Sequence, residues 1–189
     1  ALMLATMRLS KCAPVRWLSG AYIAAFRSTP MLVQLIIIYY GVFNAILVPK
    51  FLIFGFIDST RFIPGVVALA LNSSAYVAEI FRAGILAVDS GQMEAARSLG
   101  LSQAQSMRLV ILPQAIKNIL PALGNEFVMI IKETSLASTF FVGDLMTSYL
   151  KVKGITFLSF ECLFIVGVIY FLLNFVLSRL LMCIERRFA

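Results

Sequence analysis

The chain has 189 residues, 61% of them hydrophobic and 13% charged, with a mean hydropathy of +0.95. Soluble domains are about 45–50% apolar and about 25% charged, so this composition excludes an ordinary soluble domain and indicates an integral membrane protein. The net charge of +7 does not by itself point to nucleic acid, because in a membrane protein the placement of the charges matters more than their sum.

In chain order, residues 1–9 read as the tail of an apolar helix. Since Ala1 is not an initiator, an earlier part of that first span is expected to precede it. A basic segment follows, with Arg8, Lys11, Arg16 and Arg27 around Trp17 and Tyr22. The next apolar run, Met31 to Val48, opens at Ser28-Thr29-Pro30, where Ser or Thr as N-cap and Pro in the first turn predict a helix start. Pro49 to Phe62 reads as a loop, and Pro64 opens a third run to about Val88. A polar segment, 89–113, separates it from a fourth run, Ile119 to Gly143. Asp144 to Gly154 reads as a loop between two glycines. The last run, Ile155 to Ser178, ends in a basic tail of Arg179, Arg186 and Arg187. Runs of about 20 apolar residues cross a roughly 30 Å hydrocarbon core, which predicts four full spans and the end of a fifth.

If the segment after the first span is cytoplasmic, the inside segments hold eleven basic residues and the outside four, namely Lys50, Arg61, Lys151 and Lys153; Lys132 falls within a span. The positive-inside bias then places the N-terminus outside and the C-terminus in the cytoplasm.

Several chemistries are absent. There is no histidine, hence no Ser-His triad and no zinc helix of the HExxH kind. None of the six lysines precedes Ser or Thr, so there is no Walker A loop. Cys12, Cys162 and Cys183 lie far apart with no metal-ligand spacing and read as free thiols.

The segment 89–113, DSGQMEAARSLGLSQAQSMRLVILP, carries the densest local signals. Asp89 with Gln92 predicts a capping box, followed by a short helix through Glu94, Ala95, Ala96 and Arg97. Gly100 suits a stop at positive φ. Ser102 with Gln105 repeats the box and starts a second helix through Met107 and Val110, ended by Leu112-Pro113. Small residues keep this projection slim enough for a partner's groove, with Met107 and Val110 offering apolar contacts.

These residues resemble the EAA loop of permease subunits in bacterial ATP-binding-cassette (ABC) importers: EAA, three residues, Gly, nine residues, Ile, one residue, Leu-Pro. Glu94, Ala95, Ala96, Gly100, Leu112 and Pro113 match, and Val110 stands where Ile is usual. Arg16–Leu35, Ala75–Ile85, Pro113–Phe127 and Lys132–Ser138 look like the polar amino acid permeases of that group.

The resemblance implies an all-α integral membrane protein. It would be a five-span permease helical bundle forming one domain over 1–189, with the first span only partly present and a cytoplasmic coupling-helix loop at 89–113. It further implies a bacterial inner-membrane location, two partner ATPase subunits that hold ATP and Mg, a second permease copy or relative, and an extracellular or periplasmic amino acid-binding protein. The coupling contacts would come from Glu94, Ala95, Ala96, Gly100, Ser102, Met107, Val110, Leu112 and Pro113. The chain itself would bind no cofactor and do no covalent chemistry. Its other contacts would be lipid and an amino acid, with no nucleic acid.

Ionisable residues inside spans are costly and tend to be paired or to face a cavity. Asn72, Tyr76 and Glu79 share one face of the third run, and Glu126 and Glu133 share one face of the fourth. They either line a substrate pathway, with Lys132, Thr134 and Ser135 adding donors for a carboxylate, or serve structure, as in a Glu79–Arg82 pair. Tyr39-Tyr40 and the Phe51/Phe54/Phe56 group read either as a selectivity feature or as an interfacial aromatic belt, the commoner arrangement. The same carboxylates would suit a rival reading, a proton- or ion-coupled transporter, although no inverted repeat is visible. A second rival, an intramembrane enzyme, has only Asp144 in VGDL, without a partner.

Overall fold

A computed structural model of the chain describes residues 1–46, 49–53, 55, 57–140 and 142–188, with side chains up to Glu185. Val48, Phe54 and Phe56, named above, lie outside the described residues, as do the side chains of Arg186 and Arg187. The described residues are almost entirely helical. The helices are α1 (Leu2–Arg8), α2 (Ala13–Ser28), α3 (Met31–Ile36), α4 (Ser59–Leu86), α5 (Ser90–Ser98), α6 (Gln103–Ser106), α7 (Leu112–Glu133), α8 (Leu145–Thr156) and α9 (Ser159–Phe188). A π segment, Ile37–Phe43, continues α3, a second one, Met107–Ile111, joins α6 to α7, and a 3₁₀ segment, Thr134–Phe140, follows α7. A small sheet pairs β1 (Leu52–Ile53) antiparallel to β2 (Ile57–Asp58), with Leu52 opposite Asp58.

Two described helices, α4 and α9, are long and apolar enough to cross a membrane, and a third span is added if the bent pair Ala13–Ser28 and Met31–Phe43 is taken as one. Helix α7 has 22 residues, about 33 Å at 1.5 Å per residue, but Lys117, Glu126, Lys132 and Glu133 lower its apolar character.

Several expected boundaries move, each for a local reason. Pro30, not Ser28 or Thr29, is the N-cap of α3, with no side-chain cap bond. Pro49 to Phe62 is not all loop: it contains the hairpin, and α4 begins at Ser59 with Pro64 inside it. Asp58 starts that helix by accepting from the Thr60 amide at 2.9 Å and the Thr60 hydroxyl at 2.7 Å, so the helix forms upstream of its proline. Leu112-Pro113 does not end the helix of the polar segment. The Leu112 amide bonds back to the Met107 carbonyl, a wider i→i+5 turn that lets a residue without N–H enter, and α7 continues directly. Helix α7 then ends at Glu133, short of Gly143. Asp144 to Thr156 is helical: Asp144 caps α8 through the Thr147 amide at 2.9 Å, and Gly154 lies inside. The stop is Phe157 at φ +60°. Gly143 does adopt positive φ, +96°.

The chain divides into two compact units, 1–25 with 74–127 and 178–189, and 26–73 with 128–177. In the first, α4 and α7 approach through small residues. Ala75, Ala78 and Ala115 are fully buried, and a Cβ at Gly84 would stand 2.2 Å from Ile119 Cγ1. Small residues are what permit such backbone proximity between helices in lipid. The Tyr22 hydroxyl lies 2.8 Å from Ser74 Oγ. In the second unit the core is Met31, Leu35, Ile38, Ala68 and Phe140. Tyr39 stacks on Phe140 at 4.2 Å with the planes 11° apart, and Tyr40 meets both edge-on.

Candidate functional site

The segment 89–113 lies wholly in the first unit. Asp89 is the N-cap of α5, but its carboxylate accepts from the Gly91 amide at 2.6 Å and not from Gln92, so the expected reciprocal box is not formed. Gln92 instead accepts a long bond, 3.4 Å, from Gln114 Nε2, which also donates to the Val110 carbonyl at 2.9 Å. This ties the start of α5 to the start of α7.

The stop after α5 is built as expected. Gly100 sits at φ +86°. Its amide donates to the Arg97 carbonyl at 3.0 Å, and the Leu101 amide donates to the Ala96 carbonyl at 3.3 Å. This pair of bonds is the Schellman motif, which satisfies the last carbonyls of a helix and needs a left-handed residue where Gly100 stands. The next residue but one, Ser102, caps α6 in a complete box: its amide donates to Gln105 Oε1 at 2.8 Å, and the Gln105 amide donates back to Ser102 Oγ at 3.3 Å. The stop of α5 and the start of α6, separated by residues 99–102, are thus both fixed by local bonds.

Burial then sorts the residues. Ala96 and Ser106 are buried, and the Ser106 hydroxyl donates to the Ser102 carbonyl at 3.0 Å. Glu94, Ala95, Gly100, Ser102, Leu112 and Pro113 are exposed. Met107 and Val110, expected to face a partner, are half-buried. The most exposed large apolar side chains of the segment are Leu99, 85% exposed, and Leu109, 62% exposed. Leu99 was absent from the sequence-based set. Its signal was its position immediately before a left-handed glycine, where a helix end turns the residue out of its packed face.

The residues of the suggested pathway are distributed over both units. In the first, Tyr76 is half-buried, Glu79 is ion-paired with Arg82 through its guanidinium, and Glu126 on α7 is buried. In the second, Asn72 is buried and donates its amide to Gln34 Oε1 at 2.8 Å. Thr134 and Ser135 give their hydroxyl protons to the carbonyls of Ile131 and Lys132, so neither keeps a donor for a carboxylate. Lys132 is exposed and Glu133 half-buried. Glu161 is exposed in the first turn of α9, where a negative charge favours the helix dipole. Among the described residues there is no group of three or more acidic or Cys side chains able to hold a metal ion.

Residues 1–189 match the family model of the binding-protein-dependent transport system inner membrane component. The chain belongs to that family. It is 39% identical over 186 residues to the arginine transport system permease protein ArtQ of Bacillus subtilis, covering 98% of this chain and 81% of that protein. It is 42% identical to the nopaline transport system permease protein NocM of Agrobacterium fabrum, covering 96% and 75%. Among solved structures, an amino acid ABC transporter matches with a TM-score of 0.88 and 46% identity over 98% of this chain and 82% of the other. The inward-facing MetNI methionine transporter matches with a TM-score of 0.72 at 18% identity, covering 94% and 77%, and shows the fold alone. This permease subunit therefore has the all-α membrane fold of ABC transporters, and nothing found supports a proton-coupled carrier.

Proposed function

We propose that the permease subunit carries a polar amino acid into the cytoplasm by alternating access, driven by the two ATPase subunits of the complex, with an ATPase docked on the segment 89–113. The observation that supports this most strongly is the construction of that segment: a helix with Glu94 and Ala95 outward and Ala96 inward, stopped by a left-handed Gly100 and followed at once by a boxed second helix. A projection held by its own caps keeps its shape when a partner pushes on it. Leu99 and Leu109 are the apolar residues offered to the partner, with Gly100 setting the angle between the helices.

The sequence holds no Walker A loop, and membership of the transport-system permease family supports assigning ATP and Mg to the partner ATPases. A second permease, identical or related, completes the pathway, and an external binding protein delivers the substrate. The basic residues, eleven inside against four outside, orient the N-terminus outward and the C-terminus to the cytoplasm. ATP binding contributes by favouring one of two arrangements of the permease pair, through contacts that differ between them. Within the first unit, Tyr76 and buried Glu126 are the candidate substrate contacts, with Glu79 held by Arg82. Within the second, Lys132 and Glu133 are the candidates, while Thr134 supports the helix end.

The test is ATP-driven uptake by the purified complex in proteoliposomes. Glu94→Lys is expected to cut uptake at least tenfold while the chain still inserts into the membrane. Unchanged uptake, or loss of insertion instead, contradicts the coupling role.

A further inference from the structure

Thr29 and Pro30 separate α2 from α3. A helix break leaves carbonyls without amide partners, and Pro30 contributes no N–H. One side chain in the second unit meets this need. Gln34 Nε2 donates to the Phe26 carbonyl at 2.7 Å, the Thr29 carbonyl at 2.9 Å and Thr29 Oγ1 at 2.7 Å, sharing its two hydrogens among three acceptors. Those acceptors fix which way the amide points. Its oxygen must face the opposite direction, and there it accepts from Asn72 Nδ2 on α4 at 2.8 Å. Both side chains are buried, Gln34 to 6% exposure and Asn72 to 3%. Flanking Gln34, Leu35 is 1% exposed, and Leu35 packs in the core with Met31, Ile38, Ala68 and Phe140.

We propose that Gln34 and Asn72 are positioning residues for transport. They form a two-amide clamp that ties the helix break to residue 72 of α4 and makes α3, its π segment and the Tyr39–Phe140 stack move with that part of α4 as one body. In this reading both amides serve the fold first: the Gln34 nitrogen donates to the break and the Asn72 nitrogen to Gln34. The arrangement has a direction. An acceptor at position 72 would face the Gln34 oxygen, and turning the Gln34 amide over to meet it would put that oxygen against two backbone carbonyls.

The inference rests on the transporter reading, and its test separates the two. The complete complex, with its ATPases and binding protein, is reconstituted with wild-type permease, Asn72→Leu, Asn72→Asp and Gln34→Met, and uptake kinetics are measured beside amide hydrogen exchange of residues 26–36. The expected result is about tenfold faster exchange of that segment in all three variants, since each leaves a buried group unpaired. The maximal uptake rate should fall about tenfold, with KM changed less than twofold. A tenfold rise in KM at unchanged maximal rate overturns the proposal in favour of substrate contact. Wild-type behaviour of Asn72→Asp overturns the directed clamp. Faster exchange with unchanged uptake overturns the positioning role but leaves the transporter reading intact. A wild-type complex without ATP-driven uptake removes the transporter reading, and the positioning role with it.

Discussion

Substitution of Gly100 separates a backbone requirement from a packing requirement. The residue stands at φ +86°, and a Cβ added there meets nothing within 4 Å in the chain. The cost within this subunit is therefore conformational. A left-handed L-residue costs about 1–2 kcal/mol, less for Asn, which visits this region more readily than other residues, and more for a β-branched one. We work with about 1 kcal/mol for Gly100→Ala and about 2 kcal/mol for Gly100→Val. The nine residues of α5 are below the roughly 12–15 needed for an isolated helix to persist in water. Losing 1–2 kcal/mol from its stop thus lowers the population of the formed projection by a factor of about 5–30. The assay is the initial rate of ATP-driven uptake in proteoliposomes, at matched amounts of inserted protein. The expected order is Gly, then Asn, then Ala, then Val. If Asn and Val are equally damaging, the filled space and not the backbone is at fault, and a partner surface must lie against Gly100. If all three variants transport normally, the left-handed stop is irrelevant to coupling.

Three further outcomes follow from the packing. Gly84→Ala, which would set a Cβ 2.2 Å from Ile119 Cγ1, should destabilise the permease by about 1–3 kcal/mol through overpacking; adding Ile119→Ala should then cost less than it does in the wild type, and equal costs in detergent unfolding would contradict the close approach. Glu79→Gln should lower stability by about 1–3 kcal/mol because it leaves Arg82 half-buried without its ion partner, while Glu79→Gln with Arg82→Gln should be milder; identical thermal midpoints for the single and double variants would count against the pair. Asp58, outside the spanning helices, is held below its ordinary value of 3.8 chiefly by the Thr60 hydroxyl and then by the Thr60 amide. A lowered folded value means this cap contributes fully above the ordinary value of 3.8 and is lost as pH falls through the folded one. The Thr60 amide resonance should accordingly titrate with a midpoint below 3.8, and a midpoint at or above it would contradict the cap.

The segment 89–113 was legible because its structure is local. Gly100, Ser102 and Gln105 act within a few residues of themselves, so their types alone foretell the stop and the second start. The same local logic misled at the prolines and at Gly154. Pro113 is a helix breaker only if the turn must be α; the π turn from Met107 removes the need for its N–H. Gly154 marked a loop end in the sequence, yet Asp144 had already started α8, and the actual stop, Phe157, is a residue type that rarely turns left-handed. Asn72 illustrates a different limit. Its helical face was readable, but its partner Gln34 lies 38 positions away, and no periodicity reports a contact at that range. Hence the bond from buried Asn72 to Gln34 could not be read from the sequence. Leu99 was hidden by the reverse effect, since exposure of an apolar side chain is decided by the turn that follows it and not by its own chemistry.

The measurement that bears most directly on the coupling account is affinity purification of the tagged permease from native membranes in mild detergent, with quantitative mass spectrometry of the proteins that accompany it. The account predicts a stoichiometric ATPase, retained by the wild type and lost with Glu94→Lys or Gly100→Val. A permease that purifies without an ATPase, and moves solute in liposomes down an ion gradient, would contradict it.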